Sequence, residues 1–332
     1  MTTIRDVAEL ASVSVGTVSR VMSKNTTVKA ALKERVLTAV KELDYKPNLS
    51  ARALRTNRID VIGLVVPDIT NPFFSQLALC IETEAAKRGH SVMLANSHGD
   101  AETERRQIST LLDHALRGIV VVAASDTAGP RFETEVSIVS LDRRFDRFPL
   151  VSTDHRDGSA KVANYLFELG HRRIAYIAGP QNTEVARARK EGFVSRVEQL
   201  NRQDAGVEVR VFEGRFDYDS GEQLGRKILA SSNRWKPTAI AAASDQLAIG
   251  VLRAMRDLDL NVPADCSVVG FDDIELASLV VPRLTTIRQP TELLARAALE
   301  HMFSDNEKIR ETTIKGELVV RGSTGKLSRR AG

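Results

Sequence analysis

The chain reads as a small all-α headpiece followed by a two-lobed α/β core with parallel sheets, and three observations carry that reading. Residues 1–58 show helical periodicity and no strand pattern. From Asp60 onward, short β-branched runs alternate with longer helical stretches, the rhythm of βαβ units whose crossovers force neighbouring strands to run parallel. The body that follows the headpiece, roughly 270 residues, exceeds what one hydrophobic core comfortably holds, so it divides into two lobes.

In the headpiece, Thr3 and Asp6 stand at capping-box-like spacing, and Ile4, Val7, Ala8 and Ala11 follow on one helical face. Ser14 can cap a second short helix, Val15 to Met22, whose inner face carries Val18 and Val21. A third helix is expected from about Ala30 to Leu43, with Leu32, Val36, Leu37, Val40 and Leu43 as its buried stripe. Short helices with a turn of about three residues between the first two form a helix-turn-helix. Pro47 and Asn48 interrupt the pattern, and Leu49 to Arg55 is helix-prone but too short to be stable alone.

In the core the predicted strands are Val61 to Val66, Val92 to Ala95, Gly118 to Ala124, Ile138 to Leu141, Arg173 to Ala178, Val207 to Phe212, Thr238 to Ala243 and Ser267 to Gly270. Ile119 to Ala124 and Ala239 to Ala243 are apolar almost without interruption, as strands covered on both faces are. The break between lobes is expected near Val151 to Gly158, with a second crossing at the proline-bracketed stretch Pro282 to Pro290.

The net charge of +4 is unevenly distributed. Residues 1–58 carry +6, residues 59–320 carry −6, and the end of the chain adds Arg321, Lys326, Arg329 and Arg330. A short basic module on an acidic body points to a polyanion partner for the module and a different task for the body. With 42% hydrophobic and 27% charged residues, extensive disorder is excluded. No apolar run is long enough for a membrane span and Met1 to Leu10 is not a signal peptide, so a cytoplasmic protein is expected. Cys80 and Cys266 lie in separate apolar contexts and read as small buried hydrophobes.

Signals of enzymatic chemistry are thin, and no cofactor or metal is expected. No G-x-G-x-x-G follows the first strand, and Gly322-Ser-Thr-Gly-Lys lacks P-loop spacing. His90, His98, His114, His155, His171 and His301 show no metal-ligand spacing. Asp217, Asp219 and Gly221 begin like a calcium loop but lack the later glutamate.

Ser14 to Arg20 holds what a DNA-reading helix needs. Ser14, Thr17 and Ser19 can approach phosphates, Val15 and Gly16 sit at the leading end, and Arg20 can present a bidentate fork to guanine. The alternative is that these hydroxyls merely cap an ordinary helix.

Read with their neighbours, these residues closely resemble one family. Thr3-Ile-Arg-Asp-Val-Ala-Glu-Leu-Ala, Val13-Ser-Val-Gly-Thr-Val-Ser-Arg-Val, Leu43-Asp-Tyr-Lys-Pro-Asn and Ala51-Arg-Ala-Leu-Arg-Thr resemble the headpiece of the lactose-repressor/galactose-repressor (LacI/GalR) family. Ile62-Gly-Leu-Val-Val-Pro-Asp-Ile-Thr-Asn-Pro-Phe-Phe, Gly170-His-Arg-Arg-Ile-Ala, Ser244-Asp-Gln-Leu-Ala-Ile-Gly, Val269-Gly-Phe-Asp-Asp and Leu284-Thr-Thr-Ile continue it in order along nearly the whole chain.

The resemblance implies a helix-turn-helix headpiece over residues 1–46, a hinge helix over 47–58 and a periplasmic-binding-protein-like effector and dimerisation core over 59–332. Within that core, the N-lobe comprises about 59–155 plus 288–314 and the C-lobe about 156–287 plus 315–328. It implies a cytoplasmic homodimer that represses transcription from a pseudo-palindromic operator under control of a small molecule, sugar-like by default and a nucleobase as the minority option. Contacts to DNA fall to Thr3, Ser14, Val15, Gly16, Thr17, Ser19, Arg20, Tyr45, Asn48, Ala51, Arg52, Leu54 and Arg55. Leu54 is the wedge that kinks the central minor groove, its alternative being packing against the body. Small, apolar Val15 and Gly16 suit thymine methyls, so the operator expected has a central CG step and A/T-rich inverted halves.

Lys29 stands where the family usually has a serine cap, Leu32 where threonine is usual and Ser23 where asparagine is common. The capping bond expected to be lost at Lys29 is worth about 1 kcal/mol. Effector contacts fall to Phe73, Phe74, Arg189, Phe216, Ser244, Asp245, Asp272 and Gln289, with Asp142 and Asp154 as secondary candidates. Each has a structural alternative: the phenylalanines as core, Arg189 and Asp272 as an ion pair, Asp245 as a helix cap.

Overall fold

A computed structural model describes residues 2–22, 28–45, 60–126, 133–202, 206–230, 235–304 and 311–327. The chain separates into two compact units, Met1–Ile59 and Asp60–Gly332. The expected hinge and the candidates Asn48, Ala51, Arg52, Leu54 and Arg55 lie outside the described residues, as does Ser23.

The described part of the first unit is helical: α1 (Ile4–Leu10), α2 (Val15–Met22) and α3 (Ala30–Glu42). Thr3 and Asp6 form the full capping box, Thr3 N donating to Asp6 Oδ2 at 2.7 Å while Thr3 Oγ1 accepts from Asp6 N at 3.4 Å. Ser14 Oγ accepts from Thr17 N at 3.2 Å and so starts α2. At the head of α3, Lys29 makes no side-chain cap, so this helix begins without that bond. Val7, Ala8, Ala11, Val18, Val21, Val36 and Ala39 form the small core. One expectation fails: Leu37 is 47% exposed, while Ala39 is buried in the core. The stripe on α3 runs through Val36, Ala39 and Val40, one helical step round from Leu37.

The second unit holds two parallel sheets. In the N-lobe, β1 (Val61–Val66), β2 (Ser91–Asn96), β3 (Gly118–Val121), β4 (Ser137–Leu141) and β5 (Leu150–Thr153) join a late strand, β11 (Glu311–Ile314). Their spatial order is β11-β5-β4-β3-β1-β2, and every pairing is parallel. The helices α4 (Pro72–Lys87) and α5 (Ala101–Leu112) connect β1 to β2 and β2 to β3. In the C-lobe, α6 (His155–Glu168) leads into β6 (Arg173–Ala178), after which α7 (Glu184–Asn201), β7 (Glu208–Glu213), α8 (Tyr218–Leu229), β8 (Ala239–Ala242), α9 (Asp245–Asp257) and β9 (Ser267–Val269) alternate. These strands order β7-β6-β8-β9, again all parallel.

All eight strands expected from the apolar runs are present. Four were not separately anticipated: β5, β11, β10 (Thr286–Arg288) and β12 (Glu317–Val319). They lie where the chain passes between lobes. After β5 it enters the C-lobe through α6, after β10 it returns through α10 (Thr291–Phe303), and after β11 it crosses to β12, which pairs antiparallel with β10.

The calcium-like stretch also finds its place. Asp217 Oδ1 accepts from Ser220 N at 2.7 Å as the N-cap of α8. At Gly221 an added Cβ would lie 2.2 Å from Leu247 O, and at Gly250 one would lie 2.1 Å from Tyr218 O. These glycines let α8 and α9 pack backbone to backbone. Among the described residues, no helix is long and apolar enough to cross a membrane.

Candidate functional site

The leading end of α2 is the first surface. Ser14, Gly16 and Arg20 are exposed and Val15 is 40% exposed, whereas Thr17 and Ser19 are half-buried. Arg35 Nη2 donates to Ala11 O and Ser12 O, at 2.5 and 3.1 Å, pinning the turn that sets α2 against α1. Thr3 is exposed but its hydroxyl is engaged with Asp6, and Tyr45 packs partly buried against the headpiece core.

The second site lies between the lobes, at the carboxyl ends of the strands, where open α/β sheets leave a crevice. From the C-lobe, Arg189 on α7 reaches Asp272 just beyond β9. Its Nη2 stands 3.0 Å from Asp272 Oδ1, its Nη1 donates to Ala243 O at 2.6 Å, and its guanidinium lies 3.9 Å above the Phe271 ring. Gln289, just past β10, donates through Nε2 to the same Asp272 oxygen at 2.7 Å. Phe216 stands 5.9 Å from the same guanidinium. Its ring occupies the space a side chain at Gly179 would fill, since a Cβ there would be 2.0 Å from Phe216 Cζ. Only glycine at the end of β6 permits that placement.

From the N-lobe come Asp142 and Arg143, just beyond β4, and Phe74 on α4. The Arg143 guanidinium stands 5.2 Å over the Phe74 ring, and Phe73 and Phe74 meet edge to face at 5.3 Å. Asp142 faces His155, the first residue of α6, with Oδ1 and Nε2 3.1 Å apart. His155 Nδ1 in turn accepts from Arg189 Nε at 3.3 Å. Asp142, directly after β4, and Asp272, three residues after β9, both take positive φ, 60° and 125°. Non-glycine residues rarely adopt this backbone, and such strain concentrates at functional sites.

Electrostatics follow from burial. Burial pushes the Asp272 carboxyl up to about 6, despite the opposing pull of Arg189 and Gln289. Burial would also raise Asp142, but His155, Arg189 and Arg143 together hold it below the usual range. Asp142 Oδ1, Arg143 Nε, His155 Nε2 and Gln289 Oε1 are buried without a well-formed hydrogen bond to the protein, Arg143 Nε standing 3.9 Å from Asp142 Oδ2. Such atoms are costly unless something completes them.

The remaining candidates are placed differently. Asp245 Oδ1 accepts from Thr286 Oγ1 at 2.5 Å and Oδ2 from Ile274 N at 2.9 Å, tying α9 to β10 and to the loop after β9. Burial and the nearby Asp272 charge raise its carboxyl to about 8. Ser244 Oγ, not Asp245, caps α9 by accepting from Leu247 N, and Asp154 Oδ1 caps α6 by accepting from Asp157 N. Phe73 is buried in the N-lobe core beside Leu77 and Ile81.

Sequence reasoning missed Arg143 and His155. Each directly follows a flagged aspartate, the only signal they offered. It also missed the tie between Asp126, after β3, and Arg187 on α7, whose Nη2 and Oδ2 are 2.6 Å apart across the lobes. That pair borders a cavity of about 480 Å³ lined by both lobes.

A DNA-reading helix pair joined to a two-lobed, ligand-receiving core defines a ligand-responsive transcription regulator. The lacI family of bacterial regulatory proteins matches residues 3–48, and the periplasmic binding protein-like domain matches residues 163–324. The ribose operon repressor of Escherichia coli K12 is 36% identical over 309 residues, covering 90% of this chain and 92% of the relative. The lac repressor dimer bound to operator and the anti-inducer ONPF superposes with TM-score 0.80 at 30% identity, covering 98% of this chain and 99% of the other. A LacI-family regulator from Enterococcus faecium with bound ribose gives 0.68 at 27%, covering 81% and 100%. The chain belongs to the LacI family and is a non-enzymatic, DNA-binding transcriptional repressor controlled by a small molecule.

Proposed function

We propose that this repressor is a cytoplasmic homodimer whose effector is a sugar of the pentose class, bound between the lobes. The observation that carries the reading is the Arg189–Asp272–Gln289 cluster, with Gln289 Oε1 and Arg143 Nε still without a hydrogen-bond partner, Arg143 Nε standing 3.9 Å from Asp142 Oδ2. A sugar hydroxyl donates to one neighbour and accepts from another, which suits alternating carboxylate, guanidinium and amide groups. The rings of Phe74, Phe216 and Phe271 supply apolar faces for its C–H surface. Arg189, Asp272, Gln289, Asp142, Arg143, Phe74 and Phe216 form the contact set, while Asp245, Asp154 and Phe73 support it. The ribose operon repressors among the relatives favour the same class.

Ser14, Val15, Gly16, Thr17, Ser19 and Arg20 enter the major groove of each half-site, and Leu54 wedges the central step. A second copy covers the exposed Leu79 of α4 and Met93 and Leu94 of edge strand β2. Effector binding changes the angle between lobes and thereby operator affinity, a coupling of about 1–3 kcal/mol.

Thermal shift against a sugar panel, followed by gel shift on an inverted-repeat operator, tests the reading. D-ribose or a close pentose raises the melting temperature and changes operator affinity. A response to nucleobases alone, or to no small molecule of either class, overturns it.

A further inference from the structure

His155 carries a role that none of the site residues above explains. It is 6% exposed, yet both ring nitrogens face charged side chains from opposite lobes: Nδ1 accepts from Arg189 Nε at 3.3 Å and Nε2 stands 3.1 Å from Asp142 Oδ1. An imidazole that accepts at Nδ1 must carry its proton at Nε2, the nitrogen that lies nearest the carboxylate. Arg143 follows Asp142 on the N-lobe side, and the Phe271 ring lies 5.9 Å away on the C-lobe side. Arg156, Glu184 and Glu311 line the adjoining cavity of about 210 Å³.

We propose that His155 is a positioning residue of the effector cleft: as the neutral, Nε2-protonated ring it holds the Arg189 fork and the Asp142 carboxylate in register across the two lobes, and a proton on Nδ1 ejects Arg189 and weakens effector binding. The inference rests on the sugar reading above for its ligand, but not for its geometry. Burial, with the nearby arginines, lowers the imidazole below its ordinary value despite the attraction of Asp142, so the holding form prevails at neutral pH. Because Asp272 also titrates in the acid range, the number of protons linked to binding separates the two groups.

The test uses the full-length dimer and its H155Q and H155A variants. Glutamine can accept from Arg189 and donate to Asp142 without titrating; alanine can do neither. At about pH 7.5, H155Q binds D-ribose within a few-fold of the parent and H155A at least about tenfold more weakly. Toward acid pH, below the ordinary imidazole range, release of the effector takes up about one proton fewer in H155Q than in the parent, read as the slope of log Kd against pH. Nitrogen NMR of the ligand-free protein finds Nδ1 unprotonated at neutral pH. An unchanged slope in H155Q, or a protonated Nδ1 at neutral pH, overturns the proposal. If no sugar raises the parent's melting temperature, the sugar reading fails. The ligand-free protein then still decides for His155, with unprotonated Nδ1 sustaining the role and protonated Nδ1 ending it.

Discussion

Arg189 and Asp272 approach to 3.0 Å with their side chains 4% and 8% exposed, and Asp272 holds this position with a φ of 125°. A pair so buried contributes little net stability, because desolvating both charges offsets most of their attraction; removing one partner, however, strands the other. On the effector-site proposal, the pair serves to present a fixed fork and carboxylate toward the cleft.

Arg189→Ala therefore lowers stability by about 3–5 kcal/mol and abolishes effector binding. Asp272→Asn keeps the shape, costs less stability and still weakens the effector severely. Chemical denaturation and calorimetric titration measure both, and full effector affinity in either variant would contradict the assignment.

Glu104 on α5 accepts from Ala124 N at 2.6 Å, and burial raises its carboxyl to about 7. A carboxyl higher in the folded than in the unfolded state binds more protons when folded, so stability falls as pH rises from the unfolded value through about 7. Glu104→Gln keeps the acceptor and removes the titration. The variant should match the parent near pH 4 and exceed it by up to about 3 kcal/mol above pH 7, read from denaturant midpoints across pH.

Gly16 is exposed, and an added Cβ would meet only Ser14 Oγ, at 3.8 Å. Gly16→Ala should leave the headpiece as stable or more so by up to about 1 kcal/mol. Operator affinity should nevertheless drop, because the methyl enters the groove interface. Unchanged gel-shift affinity would remove Gly16 from the DNA surface.

Leu54→Ala should weaken operator binding by about a few kcal/mol or less while effector affinity stays nearly intact. Equal losses in gel shift and effector titration would make Leu54 a folding residue instead.

Much of this architecture was legible along the chain because periodicity is a local property. The apolar runs of β3 and β8 announce strands covered on both faces, and the Thr3 and Asp6 spacing announces the start of α1. The missed strands β5, β10, β11 and β12 are short and carry polar residues such as Thr153, Arg288 and Thr312. Their pairing comes from lying beside another strand at the crossings, not from their own pattern.

The sequence by itself determined the basic helical module, the acidic α/β core and, through the ordered motifs, the family. Only the tertiary structure decided that Asp245 braces β10, that Leu37 yields its inner place to Ala39, and that His155 bridges Asp142 and Arg189. Helix and strand patterns reveal which face a residue occupies. Which charged group it meets across a cleft depends on where distant strands end, and that is settled when both sheets and their crossings pack together.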